Sequence, residues 1–323
     1  MFSKVFDHTV RQLRIASPAK LNLFLEIRAR RDDGFHELES VMSKFSLFDY
    51  LTFCPEATDE LKLSVESCTP ELADAVPTDE GNLVIQALQR AREAAVDQSD
   101  SPMGMTVRLV KNIPVQAGLG GASGNAAAAL LAANQLWRLG LSLQELMEIG
   151  GGLGSDVPFF LGNGFCKCTG KGDQIENLNC ARRFNILVAK PKFGLSTPEI
   201  YSRCIVPEHP ISAERLIRTL HTHHIADFGK SLFNRLEAFA REIQAGIDRL
   251  RYEFSRTNSL GYAMTGSGSC YFGVYSSRSV MAAAAKILAS RLPDVSFFAG
   301  HTLCNPFIAT SLIESARSHG ANH

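Results

Sequence analysis

The amino-acid sequence predicts an α+β protein of about two domains, and three observations carry that expectation. The chain has 323 residues, against roughly 150 for an average domain. Strand-like alternation and helix-like repeats follow one another along it without the strict βαβ rhythm of a doubly wound sheet. Hydrophobic residues make up 45% and charged residues 20%, enough apolar chain to bury a core and too little charge to stay unfolded.

Basic and acidic residues balance at 33 each. No surplus of positive charge is left to neutralise phosphates, so a nucleic-acid partner is not expected. No run of about 18 apolar residues occurs, and the best candidate, from Ala126 to Ala133, is alanine-rich and stops at Asn134, so no membrane span is expected. Met1 to Ile15 carries scattered charge and lacks the apolar core of a signal peptide. The eight cysteines, irregularly spaced, then read as reduced thiols of a cytoplasmic protein. Cys166 and Cys168 alternate onto one strand face, where they read as small buried residues rather than metal ligands.

In chain order, Leu21, Leu23, Leu25 and Ile27 alternate with Asn22, Glu26 and Arg28, the pattern of a half-buried strand. Lys20 shares the parity of Asn22, so both should point off the leucine face, and Pro18 suits only the strand's entrance or edge. Asp32-Asp33-Gly34 is a turn signal that delivers Phe35 and His36. Further strands are expected at 45–53, 61–67 and 105–111. Asn82 reads as the N-cap of a helix carrying Leu83, Ala87, Leu88, Ala91 and Ala95. A glycine-rich loop after Pro114 leads into an alanine-rich helix over 123–139. Ser142 and Glu145 form a capping box for a short helix ending at Gly150-Gly151-Gly152. Beyond it, a strand at 185–190, helices at 212–220 and 232–254, a strand-turn-strand over 263–275, a helix at 279–292 and a strand at 295–300 are expected. The polar run around Gly170-Lys171-Gly172 and 177–183 places a domain boundary near 180, giving units of 1–180 and 181–323.

The most informative stretch is Pro114-Val115-Gln116-Ala117-Gly118-Leu119-Gly120-Gly121-Ala122-Ser123-Gly124-Asn125, which runs straight into the alanine helix. Backbone N–H groups at a helix start have no intrahelical partner and carry partial positive charge, so they bind anions. Glycines let the backbone close around a phosphate, and Ser123 adds a hydroxyl at the helix start. The stretch is not a Walker A loop, because the nearby Gly170-Lys171 is followed by Gly172. It also lacks the third glycine of the dinucleotide fingerprint, where Ser123 stands, and the last glycine of the hydrolase elbow, where Asn125 stands.

A second glycine turn, Thr265-Gly266-Ser267-Gly268-Ser269, reads alone as a hairpin turn and, paired with a phosphate loop, as a cover for the nucleotide. Asp156 lies between a glycine cluster and Val157-Pro158-Phe159-Phe160. It is either the cap of a short helix or a base walled by aromatic rings. Lys20 taken alone is an ambiguous cation. His221, His223 and His224 cluster on a polar stretch that reads as solvent-facing.

Taken together, Ser17-Pro18-Ala19-Lys20-Leu21-Asn22-Leu23, the phosphate loop and the Thr265 turn resemble the GHMP kinase superfamily, in order and spacing over essentially the whole chain. Asp33-Gly34-Phe35-His36, Gly81-Asn82-Leu83 and Leu153-Gly154-Ser155-Asp156-Val157-Pro158-Phe159-Phe160 narrow the resemblance to members acting on cytidyl methylerythritol diphosphate, a step toward isoprenoid precursors by the non-mevalonate route. The resemblance implies a ribosomal protein S5 domain 2-like N-terminal half, a ferredoxin-like C-terminal half, and an active site between them. It implies transfer of the γ-phosphate of ATP, with Mg²⁺, to the acceptor's 2-hydroxyl. Asp156 would take the hydroxyl proton, and Lys20 would hold the carboxylate ionised. Asn22, Thr265 and Gly266 would touch the substrate. Phe35 and His36 would hold the cytosine with Tyr201 stacking from the opposite side, while Asn82 and Lys111 would belong to the adenine pocket.

Three departures from the family pattern stand out. Phe35 replaces the usual Tyr and loses a phenolic hydrogen bond. Gly124 stands where a second loop hydroxyl is usual. Val115-Gln116-Ala117 replaces a more glycine-rich lead-in, so Gln116 would approach the nucleotide. A homoserine, mevalonate or sugar kinase of the same fold stays open as an alternative, as does a non-catalytic nucleotide binder. The oligomeric state stays open between monomer and weak dimer, because no clear apolar stripe is left for a partner.

Overall fold

The computed structural model describes residues 12–94, 103–221 and 224–304, together with the backbone of 308–312. β1 (Gln12–Arg30) turns at 32–34 into β2 (His36–Glu56), and β3 (Leu61–Glu66) follows. α1 (Pro70–Asp74) and α2 (Leu83–Glu93) precede β4 (Gly104–Val110). Then come α3 (Gly121–Leu136), α4 (Leu143–Leu153), α5 (Val157–Leu161) and the hairpin of β5 (Phe165–Thr169) and β6 (Gln174–Leu178). β7 (Asn185–Pro191) is followed by α6 (Thr197–Ser202), α7 (Glu214–Thr219), α8 (Ile225–Gly229) and the two-residue β8 (Phe233–Asn234). α9 (Leu236–Ile243) and α10 (Ala245–Ser255) lead to the hairpin of β9 (Gly261–Met264) and β10 (Tyr271–Tyr275). α11 (Arg278–Arg291), β11 (Val295–His301) and β12 (Ile308–Leu312) complete the described elements.

Two sheets organise these elements, and the class is α+β as the sequence implied. The larger runs β12-β1-β2-β4-β3, with β5 on β2, β6 on β5 and β8 on β1. The smaller is antiparallel in the order β11-β7-β10-β9, which with its connecting helices is the ferredoxin-like topology. α2 and α3 pack on one face of the larger sheet, with α4 against both of these helices, and the run Ala126 to Ala129 is fully buried with Leu88, Phe53 and Val107. Small side chains let α3 lie close to the strands, so a uniformly apolar helix suits this place. Among the described residues, no helix is long and apolar enough to cross a membrane.

β1 positions the site. It pairs with β12 over 12–16 and with β8 at Phe24 and Leu25, while β2 covers its other edge. Between those two partners, the Lys20 N–H donates to the Leu119 carbonyl (2.8 Å) and the Asn22 N–H to Thr265 Oγ1 (3.0 Å). Both glycine loops therefore dock on the same stretch of strand.

Several expectations need correction. β1 is buried on both faces rather than one, because the second half of the chain covers the side bearing Asn22 and Glu26. Pro18 sits not at the strand's entrance but in the stretch between the β12 and β8 pairings, where β1 has an open edge and the β1–β2 register shifts between Pro18 and Ala19; both tolerate a residue without an N–H. α3 begins at Gly121, two residues early. α4 continues through Gly150 to Leu153 because its glycines admit the neighbouring helix: a methyl group at Gly150 would lie 2.9 Å from Val157 Cγ1. The helix expected over 232–254 is instead β8, α9 and α10, broken at Gln244, whose backbone is extended and whose side chain caps Gly246. Residues 1–11, Ala95 and His223 lie outside the described residues.

The lead-in to the glycine-rich loop ahead of α3 hangs on Asp49. One of its carboxylate oxygens accepts from the N–H groups of Asn112 (2.7 Å) and Ile113 (2.8 Å). The other accepts from Lys111 Nζ (2.6 Å) and Asn125 Nδ2 (2.9 Å). Asp49 and Lys111 are both buried, and burial holds the Lys111 ammonium below its usual range despite the partner charge. Asp49→Ala should therefore cost about 3–5 kcal/mol, since it strands a buried ammonium and two N–H groups. Urea denaturation measures the loss, and a loss under about 1 kcal/mol would contradict this account.

Candidate active site

A cleft of about 1180 Å³ opens where the two glycine loops meet β1. Gln116, Gly118, Gly120 and Ser123 face it, whereas Ala117 and Leu119 turn into the core. Gly118 (φ +72°) and Gly120 (φ +69°) are left-handed, a conformation that favours glycine, and both approach other backbone or side chains closely. A methyl group at Gly118 would lie 2.5 Å from the Thr265 carbonyl oxygen, and one at Gly120 would lie 2.7 Å from Lys20 Cγ. Gly120 is the N-cap of α3 and supplies no side-chain cap, so first-turn N–H groups stay available to an anion. This cradle, which a Cβ would fill, fits a nucleotide phosphate.

The other departures find local reasons. At Gly124 a methyl group would stand 2.7 Å from Ser17 Oγ and 3.2 Å from the Pro18 carbonyl, so the space for a second hydroxyl is already filled. Gln116 adopts φ +50°, and its side chain packs toward Gly194 as it faces the cleft.

Beside the cradle, Lys20 is buried at 4% exposure, and its ammonium donates to Asn22 Oδ1 at 2.7 Å. The same ammonium meets Asp156 Oδ2 at 3.2 Å. Asn22 is held in turn, donating through Nδ2 to Ser40 Oγ (2.9 Å), which donates to the Phe24 carbonyl (2.7 Å). Asp156 occupies the N-cap position of α5 but makes no cap hydrogen bond, so its carboxylate is turned to Lys20 and the cleft. Of the two sequence readings of Asp156, the helix-capping one fails on this geometry.

At the far end Phe35 is 53% exposed, with Lys171 Nζ 5.6 Å from its ring centroid. His36 and Tyr201 touch each other, centroids 5.4 Å apart at 36°. Burial, and secondarily Arg30, hold the His36 imidazole below the usual histidine range, so it is neutral at pH 7. Burial, and then the Asp156 carboxylate, push the Tyr201 phenol up.

Not every sequence candidate reaches this cleft. Asn82 spends its side chain on the α2 cap, accepting from Val84 N (2.9 Å) and donating to the Pro77 carbonyl (2.6 Å). Lys111 is committed to Asp49 and the Ile113 carbonyl. Thr265 is fully buried beneath its turn, whereas Gly266 lines the cleft. Conversely, Arg30, Ser40 and Lys171 line it and were not singled out. The Gly170-Lys171-Gly172 run was legible as a turn between strands, which would have aimed Lys171 outward. Asn234 was missed too: its amide braces the second loop through the Met264 and Gly266 carbonyls, each at 2.8 Å.

An anion cradle at a helix start, set beside an ammonium–carboxylate pair, is apparatus for phosphoryl transfer to a small molecule. The family model for the GHMP kinases N terminal domain matches residues 82–164, and that for GHMP kinases C terminal matches residues 216–294. A 4-diphosphocytidyl-2-C-methyl-D-erythritol kinase of Pelotomaculum thermopropionicum is 37% identical over 258 residues, covering 79% of this chain and 86% of that one. The crystal structure of a 4-(cytidine 5'-diphospho)-2C-methyl-D-erythritol kinase superposes with a TM-score of 0.72 at 29% identity, covering 90% of this chain and 99% of its own. A homoserine kinase from Cytophaga hutchinsonii reaches 0.73 at 15% identity, covering 95% and 99%, a likeness of fold alone. The chain belongs to the GHMP kinases and, within them, to the 4-diphosphocytidyl-2-C-methyl-D-erythritol kinase family.

Gly118→Ala should separate the two loops, because it combines a strained backbone with a backbone collision. A stability loss of about 2–3 kcal/mol is expected in thermal or chemical denaturation, with weakened nucleotide binding in calorimetry. A variant that binds nucleotide normally would show that the loops need not touch.

Proposed function

We propose that the chain transfers the γ-phosphoryl group of ATP to the 2-hydroxyl of 4-diphosphocytidyl-2-C-methyl-D-erythritol, with Asp156 as the base. The observation that carries the residue assignment is the Asp156 carboxylate, uncapped and 3.2 Å from the Lys20 ammonium, at the edge of the glycine cradle. The family relationship and a cleft with aromatic side chains at its far end support the choice of acceptor.

Phosphoryl transfer asks for in-line placement and charge stabilisation more than for covalent chemistry. Gly118, Gly120 and the first turn of α3 would hold the phosphates through backbone N–H groups. Mg²⁺ would bind mainly to ATP oxygens with the Ser123 hydroxyl, neutralising phosphate charge. Asp156 would accept the proton of the 2-hydroxyl as its oxygen attacks. Lys20, 3.2 Å from that carboxylate, would orient it and offset the charge gathering on the transferring group. The cytosine would stack against Phe35, because the contact between His36 and Tyr201 leaves no slot for a ring between them. His36, neutral, offers one donor and one acceptor to the base edge. Arg30 and Lys171 would lie along the acceptor's diphosphate. With this goes a division near residue 180, the first unit supplying cradle and base and the second supplying Tyr201 and the covering turn.

Asp156→Asn is expected to lower kcat on the order of 10²–10⁴-fold with little change in KM, read as ADP release with ATP, Mg²⁺ and the cytidyl acceptor. Homoserine and mevalonate should not be turned over. Turnover of either in place of the cytidyl compound would move the chain elsewhere in the superfamily.

The pH dependence of acceptor binding follows from His36. Its folded-state pKa is lowered, so the neutral form persists down to pH values below the ordinary histidine range, and protonation comes only on further acidification. KM for the cytidyl acceptor should stay flat down through the ordinary histidine value of about 6.5 and rise only on further acidification, with the rise abolished in His36→Gln. A KM that climbs already between about pH 7.5 and 6.5 would contradict a neutral His36.

A further inference from the structure

α5 has five residues and begins directly after Asp156, so the placement of this short helix sets the placement of the carboxylate. Its N-terminal end is joined to β1 by the contact of Asp156 with Lys20. Its C-terminal end is held by a second lysine that the reaction itself does not use. Lys44 Nζ donates to the Phe160 carbonyl at 2.8 Å and to the Gly162 carbonyl at 2.7 Å, groups that a helix end leaves without intrahelical partners. Lys44 lies on β2 directly opposite Lys20 on β1 in the strand register. One cross-strand pair therefore sends two ammonium groups to the two ends of the same helix.

Burying that second ammonium is costly. Lys44 has 0% exposure, its ammonium lies 5.9 Å from the Phe159 ring centroid, and burial pushes it down to about 7, with Cys166 acting weakly the other way. A methionine of similar length would fill the same volume without that desolvation. What it would not supply is a donor for the two carbonyls that end α5.

We propose that Lys44 is a positioning residue for phosphoryl transfer, clamping the C-terminal carbonyls of α5 so that Asp156 stands at the right distance from Lys20 and the acceptor hydroxyl. The proposal rests on Asp156 being the base. Lys44 acts through α5 and touches no reactant, so its effect belongs in kcat and depends on the carboxylate being present.

A double-mutant cycle tests this on the full-length enzyme, with ATP, Mg²⁺ and the cytidyl acceptor, alongside thermal midpoints. Lys44→Met should lower kcat on the order of tenfold to a hundredfold, while KM for either substrate stays within about threefold. In an Asp156→Asn background the same substitution should cost less than about twofold more, because the group it positions is gone. Lys44→Gln keeps N–H donors and should fall between wild type and Lys44→Met, and it replaces Lys44→Met in the cycle if the latter does not fold. Equal fold-losses in the two backgrounds, a change confined to KM, or a folded Lys44→Met with wild-type kcat would each overturn the proposal. An Asp156→Asn enzyme turning over at the wild-type rate would overturn the base assignment first, and the proposal with it.

Discussion

The site depends on a lysine buried inside a β-strand. An ammonium with almost no access to water must be compensated at once, and Lys20 achieves this through Asn22 on its own strand and Asp156 across the cleft. Its backbone takes part as well, because the Lys20 N–H is the point at which the first glycine loop attaches to the sheet. Moving Lys20 would thus disturb the carboxylate and the cradle together. The glycine at 120 follows from the same crowding, since the aliphatic stem of Lys20 occupies the place of a Cβ.

Around that residue the two halves of the chain meet over a gap in strand pairing. β12 and β8 leave the middle of β1 to the glycine loops, whose carbonyl and hydroxyl groups take the strand's N–H donors. The loops also join each other, with the Cys270 N–H donating to the Ala117 carbonyl at 3.4 Å. From below, Asp49 gathers the Asn112 and Ile113 N–H groups, Lys111 and Asn125 and so ties the lead-in of the loop to α3. A cradle built on backbone N–H groups works only if that backbone is already in place when phosphate arrives, because preorganisation is what makes such donors effective.

Much of this was legible residue by residue. Asn82 caps α2 and Ser142 with Glu145 boxes α4, because a cap depends on the few residues beside it. The turn ahead of Phe35, the hairpin around Gly266 and the cradle before α3 were equally local signals. Where expectation failed, distant contacts had intervened. Gly150 reads as a helix stop until Val157 is packed against it. The helix expected from 232 starts only at Leu236, because Asn234 is recruited into β8 to brace a loop 30 residues away, and it breaks again at Gln244. Lys111, which the resemblance put in the adenine pocket, gives its ammonium to Asp49, a partner whose depth in the sheet no spacing in the chain discloses.

The sequence by itself determined the α+β class and a glycine-rich loop placed at a helix start, and it joined Lys20 to Asp156 only through the family resemblance. Each of these depends on neighbours along the chain or on a motif quoted whole. Tertiary structure decided which cations face the cleft and which are spent inside, that β1 is covered on both faces, and that Lys44 meets the end of α5. Those outcomes depend on desolvation and on hydrogen-bond partners brought from distant segments, and a charged side chain carries no mark of which partner it will find.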